Sequence, residues 1–140
     1  MTENQLVYDF LRRRNVTATP EEIVRQQFCH YLTEQLGYPE ALLANEVTLN
    51  VGGVARRADT VLYHRHDGSP RMVIEYKAPT IALTEKVVQQ IQSYNTIFHA
   101  DYLVITNGRQ MMVVEMDYDN NTARFLEAMP SYKELKMSKL

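Results

Sequence analysis

The run Tyr102-Leu103-Val104-Ile105-Thr106 carries no charge and is too short for a helix, so it reads as a strand that must be covered on both faces. What precedes it supplies one cover. Val87, Val88, Ile91, Tyr94, Ile97 and Phe98 recur at the 3.6-residue period of an amphipathic helix over residues 84–99, with Thr84 as its cap. Before that helix, Arg71 to Lys77 reads as a strand closed by Pro79, and Val54 to Tyr63 as another, joined through Gly52-Gly53 to Glu46–Val51 in a hairpin. A second cover comes from Thr19-Pro20-Glu21-Glu22, an N-cap, a first-turn proline and a capping-box acid. The helix it opens runs to about Leu36, with Val24, Phe28, Tyr31, Leu32 and Leu36 facing inward, Glu21 on the same stripe, and Gly37 as a left-handed stop. Asn107-Gly108 predicts a two-residue hairpin turn to a partner strand at Met111–Met116, and Thr122–Glu127 predicts one more. Residues 1–16 form an N-terminal extension, read as a short helix from Glu3 to Arg14, and 129–140 a polar tail that frays. The order α, β, β, β, α, β, β defines an α/β fold in one domain of 140 residues, a mixed central sheet flanked by helices.

Composition narrows the function. Lys plus Arg number 15 against 17 Asp plus Glu, so the chain is not the strongly basic body of an autonomous nucleic-acid binder, and any DNA contact comes from a local patch. The single cysteine, Cys29, excludes an internal disulfide framework and a four-cysteine zinc site and fits a reducing, cytoplasmic compartment. No stretch approaches the ~20 apolar residues of a membrane span.

The charges that matter lie inside strands. Met72, Ile74 and Tyr76 share one face of their strand, and Val73, Glu75 and Lys77 the other, with Glu75 and Lys77 roughly 6.6 Å apart. The preceding strand aligns Arg57, Asp59, Val61 and Tyr63, setting an aspartate where strands disfavour one. If these strands are neighbours, Asp59 and Glu75 converge, and two carboxylates repel unless a cation lies between them. Oxygen-only ligation by Asp59 and Glu75 suits Mg²⁺ or Mn²⁺, which activates water and polarises a phosphoryl oxygen, while Lys77 stabilises charge developing on phosphorus. The competing reading is a solvated charge ladder of Glu75 and Lys77, with Asp59 capping a bend.

Asp59 followed by Glu75-Tyr76-Lys77 resembles the PD-(D/E)xK nuclease superfamily, whose restriction-endonuclease-like αβββαβ core has this element order. More closely, Pro20-Glu21-Glu22-x-Val24-Arg25-Gln26, Arg57-Ala58-Asp59, Ile74-Glu75-Tyr76-Lys77-Ala78-Pro79, Gln90-x-x-x-Tyr94-Asn95 and Leu103-Val104-Ile105-Thr106-Asn107-Gly108 together resemble the N-terminal nuclease domain of type I restriction enzyme R subunits. The resemblance spans roughly residues 17 to 115. It implies Mg²⁺-dependent endonucleolytic hydrolysis of DNA, with Asp59, Glu75 and Lys77 catalytic, Glu21 as the acidic residue of the first helix, and Gln90 and Tyr94 holding the substrate or the catalytic strand. Ala58 stands where the superfamily commonly has proline. The chain also lacks the Gly-x-x-x-x-Gly-Lys-Ser/Thr loop of a translocation motor, so a separate motor or specificity subunit is an expected partner.

Arg57, with Arg12, Arg13, Arg14, Arg25, Arg56 and Arg71, is a candidate phosphate contact. Of the four histidines only His64-x-His66 forms a close pair, read as solvent-facing. Two further functions stay open: a non-catalytic nucleic-acid or protein-binding module that keeps the nuclease fold, and a homodimeric nuclease acting on branched DNA.

Overall fold

The structure is a computed structural model, and it describes residues 5–90 and 99–136. Eight strands are described: β1 (Leu6–Asp9), β2 (Arg14–Thr17), β3 (Leu43–Val51), β4 (Val54–Tyr63), β5 (Pro70–Tyr76), β6 (Tyr102–Thr106), β7 (Met111–Asp117) and β8 (Thr122–Leu126). Helix α1 spans Pro20–Glu34, and residues 85–90 are the helical start of α2. The rest of the expected second helix, with Tyr94, lies outside the described residues.

Strands β3 to β8 form one six-stranded sheet in sequence order, antiparallel except for β5 and β6, which run parallel. A parallel neighbour needs a long crossover, and residues 77–101, which contain α2, provide it. All five residues of β6 are buried. One face of the sheet packs Leu62, Met72, Ile74, Tyr76 and Val104 against Val24, Phe28 and Leu32 of α1. The other packs Ala58, Val61, Val73, Leu103 and Ile105, with Leu83 and Val87 alongside. The chain is thus a mixed α/β fold with helices on both faces, as its strand pattern requires.

The ends of α1 follow local chemistry. Thr19 Oγ1 accepts from the backbone N–H of Glu22 at 3.1 Å, Pro20 occupies the first turn, and Gly37 takes φ +75° just beyond the end.

Three expectations are corrected. The N-terminal segment is a hairpin, β1 with β2, and not a helix. The buried Asp9 carboxylate accepts from the backbone N–H groups of Leu11 (2.9 Å) and Arg12 (3.2 Å), and Arg13 turns left-handed at φ +56°. This local capture of backbone donors competes with a helix and wins. Asn107-Gly108 opens a four-residue loop instead of a two-residue turn, because Asn107 Oδ1 accepts from both Arg109 N–H (2.8 Å) and Gln110 N–H (2.7 Å). The segment beyond residue 128 does not fray where it is described. Met129 and Leu135 are buried in the α1-side core, and a short 3-10 turn, Tyr132–Glu134, is capped by Ser131.

Candidate active site: a carboxylate pair in a charged cleft

Antiparallel pairing of β4 with β5 ends at Thr60–Ile74, one residue short of Asp59 and Glu75. Beyond that point β4 stays with β3 while β5 continues beside β6 to Tyr76–Thr106. The strands splay, and a cleft of about 470 Å³ opens between them and the start of α1. Asp59 Oδ2 accepts the Tyr76 backbone N–H at 2.9 Å, so the carboxylate stands in for the missing ladder partner.

Asp59 and Glu75 are half-buried and line the cleft together. Burial pushes Glu75 up to about 7, the Asp59 charge adds to the rise, and Lys77 partly opposes it. Asp59 is also raised, by burial first, against the lowering effect of the Tyr76 N–H. Lys77 follows β5, half-buried, with its backbone N–H donating to Thr106 O at 2.9 Å. The structure therefore brings Asp59, Glu75 and Lys77 to one end of the sheet.

A chain of alternating charges forms the wall. Arg25, 6% exposed, is its centre. Its Nε and Nη2 donate to Glu22 Oε2 and Oε1 (2.9 and 2.6 Å), Nη2 also to Glu46 Oε1 (2.7 Å), and Nη1 to the backbone carbonyl of Asp59 (2.9 Å). Arg12 extends the chain, pairing with Asp9 and donating to Glu22 Oε1 at 2.6 Å. At the other end Arg57 Nε donates to Glu46 Oε2 at 2.5 Å. Although Glu22 is buried, these cations and Gln26 hold its carboxyl down at about 2. The cleft lining sets Glu21, Glu22, Glu46, Asp59 and Glu75 against Arg12, Arg25 and Arg57, two carboxylates in excess among the described residues.

Glu21 lines the cleft but is exposed, and Glu22 takes the buried position. The apolar stripe set Glu21 inward, whereas Glu22 is the buried one, because the first turn of α1 is buried by charge pairing, which a hydrophobic period does not register. Gln90 is exposed on α2, and Tyr94 lies outside the described residues. Arg12 and Arg25 are committed to internal ion pairs. Arg71 is buried away from the cleft, donating to Lys136 O at 2.7 Å and lying 5.3 Å from the Tyr132 ring centroid. His64 is buried against Asp101 at 3.1 Å and does not face solvent. Glu46 was missed, although the Gly52-Gly53 turn supplies the signal: counting back equally along both arms sets Glu46 opposite Asp59. Among the described residues no group of three or more His, Cys, Asp or Glu side chains is arranged to hold a metal ion. No helix among them is long and apolar enough to cross a membrane.

A mixed sheet with helices on both faces and carboxylates where two strands splay is a nuclease-like fold. A fragment of a presumed HsdR subunit of a type I restriction enzyme from Vibrio vulnificus YJ016 shares it with a TM-score of 0.60 at 23% identity, over 84% of this chain and 24% of that one. A presumed nuclease of the DUF820 group from Anabaena variabilis ATCC 29413 shares it with a TM-score of 0.52 at 12% identity, over 96% of this chain and 85% of that one. The chain thus spans about a quarter of the first neighbour's length. No match is found among curated proteins. The family model for the type I restriction enzyme R protein N terminus (HSDR_N) matches residues 20–130, and the chain belongs to that family.

Proposed function

We propose that this chain is a metal-dependent DNA endonuclease domain of PD-(D/E)xK type, hydrolysing phosphodiester bonds at the Asp59–Glu75 cleft. The observation that carries the reading is the Asp59–Glu75 pair, half-buried in one cleft where β4 and β5 part, with Lys77 directly after β5.

The donor set fits a hard divalent cation. Two carboxylates, with no group of three such side chains among the described residues, suit Mg²⁺, or Mn²⁺, which keeps several waters and is bound by few protein oxygens. The charge excess of the cleft and the raised pKa of both carboxyls describe a site whose repulsion a divalent cation relieves. Bound by Asp59 and Glu75, the ion supplies Lewis-acid polarisation of a phosphoryl oxygen and a more acidic water. The chain's own residues do the rest. Asp59 is fixed at both ends, its carboxylate on the Tyr76 N–H and its carbonyl on Arg25. Lys77 brings a positive charge to the phosphate, where negative charge accumulates during displacement. Arg57 reaches a phosphate from the cleft rim, and Glu21 is the exposed acid at the mouth. Gln90, with Tyr94, holds the substrate strand. DNA is the substrate, and a longer R protein or separate motor and specificity subunits deliver it.

Nicking of supercoiled plasmid by the purified chain with Mg²⁺ or Mn²⁺ tests this. Cleavage abolished by EDTA and by Lys77→Ala is the expected result. A wild-type protein that binds DNA and never cuts it returns the chain to the class of non-catalytic binding modules.

A further inference from the structure

Glu46 has φ +58°, a left-handed backbone in the middle of a strand, at a residue with no intrinsic preference for it. The ladder on either side is undisturbed, Asn45 pairing with Thr60 and Val47 with Ala58. The side chains nonetheless change sides. Asn45 and Thr60 are hydrogen-bonded at 2.6 Å beside Cys29 of α1, whereas Val47 and Ala58 belong to the opposite core. Residues two apart in a strand ordinarily share a face, so both strands reverse at the Glu46–Asp59 position.

The reversal leaves the Glu46 carboxylate between a buried and an exposed arginine. Oε1 accepts from Arg25 and Oε2 from Arg57. Arg25 does not need this acceptor for neutrality, since Glu22 already takes its Nε and Nη2. Arg57 is the opposite case. Its side chain is 68% exposed, and Glu46 alone holds it among the described residues, through Nε, with Nη1 and Nη2 left open. An exposed arginine held by one nitrogen keeps its remaining donors for a second planar or tetrahedral anion.

We infer that Glu46 is a positioning residue that fixes the Arg57 guanidinium at the cleft rim as the clamp for a phosphate of the nucleic-acid backbone. The inference rests on the nuclease reading and adds a residue to it. The strained backbone is retained because it turns the carboxylate toward Arg57 at the level of Asp59.

The test is a double-mutant cycle on the full chain, read by fluorescence anisotropy of a labelled DNA duplex with Ca²⁺ replacing Mg²⁺ to prevent cleavage. Arg57→Ala is expected to weaken binding ~10-fold and to lower the salt slope by about one phosphate contact. Glu46→Gln is expected to weaken binding by a similar factor and, combined with Arg57→Ala, to add nothing further. Glu46→Gly, which relieves the left-handed strain, serves as the second variant. Its binding falls as in Glu46→Gln while its thermal transition stays cooperative. Wild-type affinity in both Glu46 variants, or effects of Glu46→Gln and Arg57→Ala that multiply, overturns the inference while DNA binding by the wild type keeps the nuclease reading. A wild type that neither binds nor cuts duplex removes both.

Discussion

Replacing Asp59 with asparagine should abolish cleavage and at the same time make the metal-free protein more stable above neutral pH. A carboxyl whose folded pKa lies above its unfolded one binds more protons folded than unfolded, so stability declines as pH rises between the two. For Glu75 that window runs from the ordinary 4.5 to about 7. The full rise corresponds to about 3 kcal/mol. Burial is its largest cause and the Asp59 charge the next, so neutralising residue 59 restores about 1 kcal/mol, or roughly 3 °C in Tm. The asparagine oxygen still accepts the Tyr76 N–H, so the backbone contact survives the substitution. Urea denaturation in EDTA at pH 5 and pH 8 reads the effect directly. The wild type loses stability between the two values and Asp59→Asn loses less, with the variants diverging at pH 8. An Asp59→Asn protein less stable than wild type at pH 8, or an identical pH dependence in both, refutes the assignment of mutual repulsion to this pair.

Other perturbations address separate parts of the fold. Lys77→Ala should reduce plasmid nicking by at least ~100-fold with an unchanged melting transition, since the side chain follows β5 and is only half-buried. Glu22→Gln removes the carboxylate shared by buried Arg25 and half-buried Arg12, leaving Arg25 to Glu46 and Arg12 to Asp9, and should cost about 2 kcal/mol in urea denaturation. In the wild type, Glu22 and Asp9 are both held at about 2, so their contribution is complete above ordinary carboxylate values and is lost as pH falls from about 4.5 toward 2. Acid titration followed by circular dichroism should therefore show steep unfolding there, shallower in Glu22→Gln. Gly108→Ala should destabilise by about 1–2 kcal/mol, because φ is +86° and a new Cβ would lie 3.3 Å from Val24 Cγ2.

Most of the sheet was legible because its side chains obey two simple periods. Gly52-Gly53 fixed one hairpin, the apolar β6 demanded two covering layers, and Asp59 opposite Glu75 followed from neighbouring strands. The first sixteen residues were not legible in the same way. Leu6 and Phe10 satisfy a helical period, but Leu6 is 60% exposed, and the deciding element is Asp9, whose acceptors are consumed by its own turn, Arg12 and Asn45. The ionic wall was hidden for a related reason. Glu22, Arg25 and Glu46 come from α1 and β3, and a buried polar cluster leaves no periodic trace when its charges cancel one another. Arg25 looked like a surface cation because arginine usually is one.

The parallel pairing of β5 with β6 bears on the order in which the chain assembles. Asp59 and Glu75 belong to a meander, β3 to β5, whose contacts are near in sequence. Joining β6 to β5 must first close the whole crossover of residues 77–101, at an entropic cost that grows with loop length. The two carboxylates are therefore expected to meet early, in a half-built sheet, and their repulsion is a load the nascent meander carries until α1 and β6 arrive to hold it.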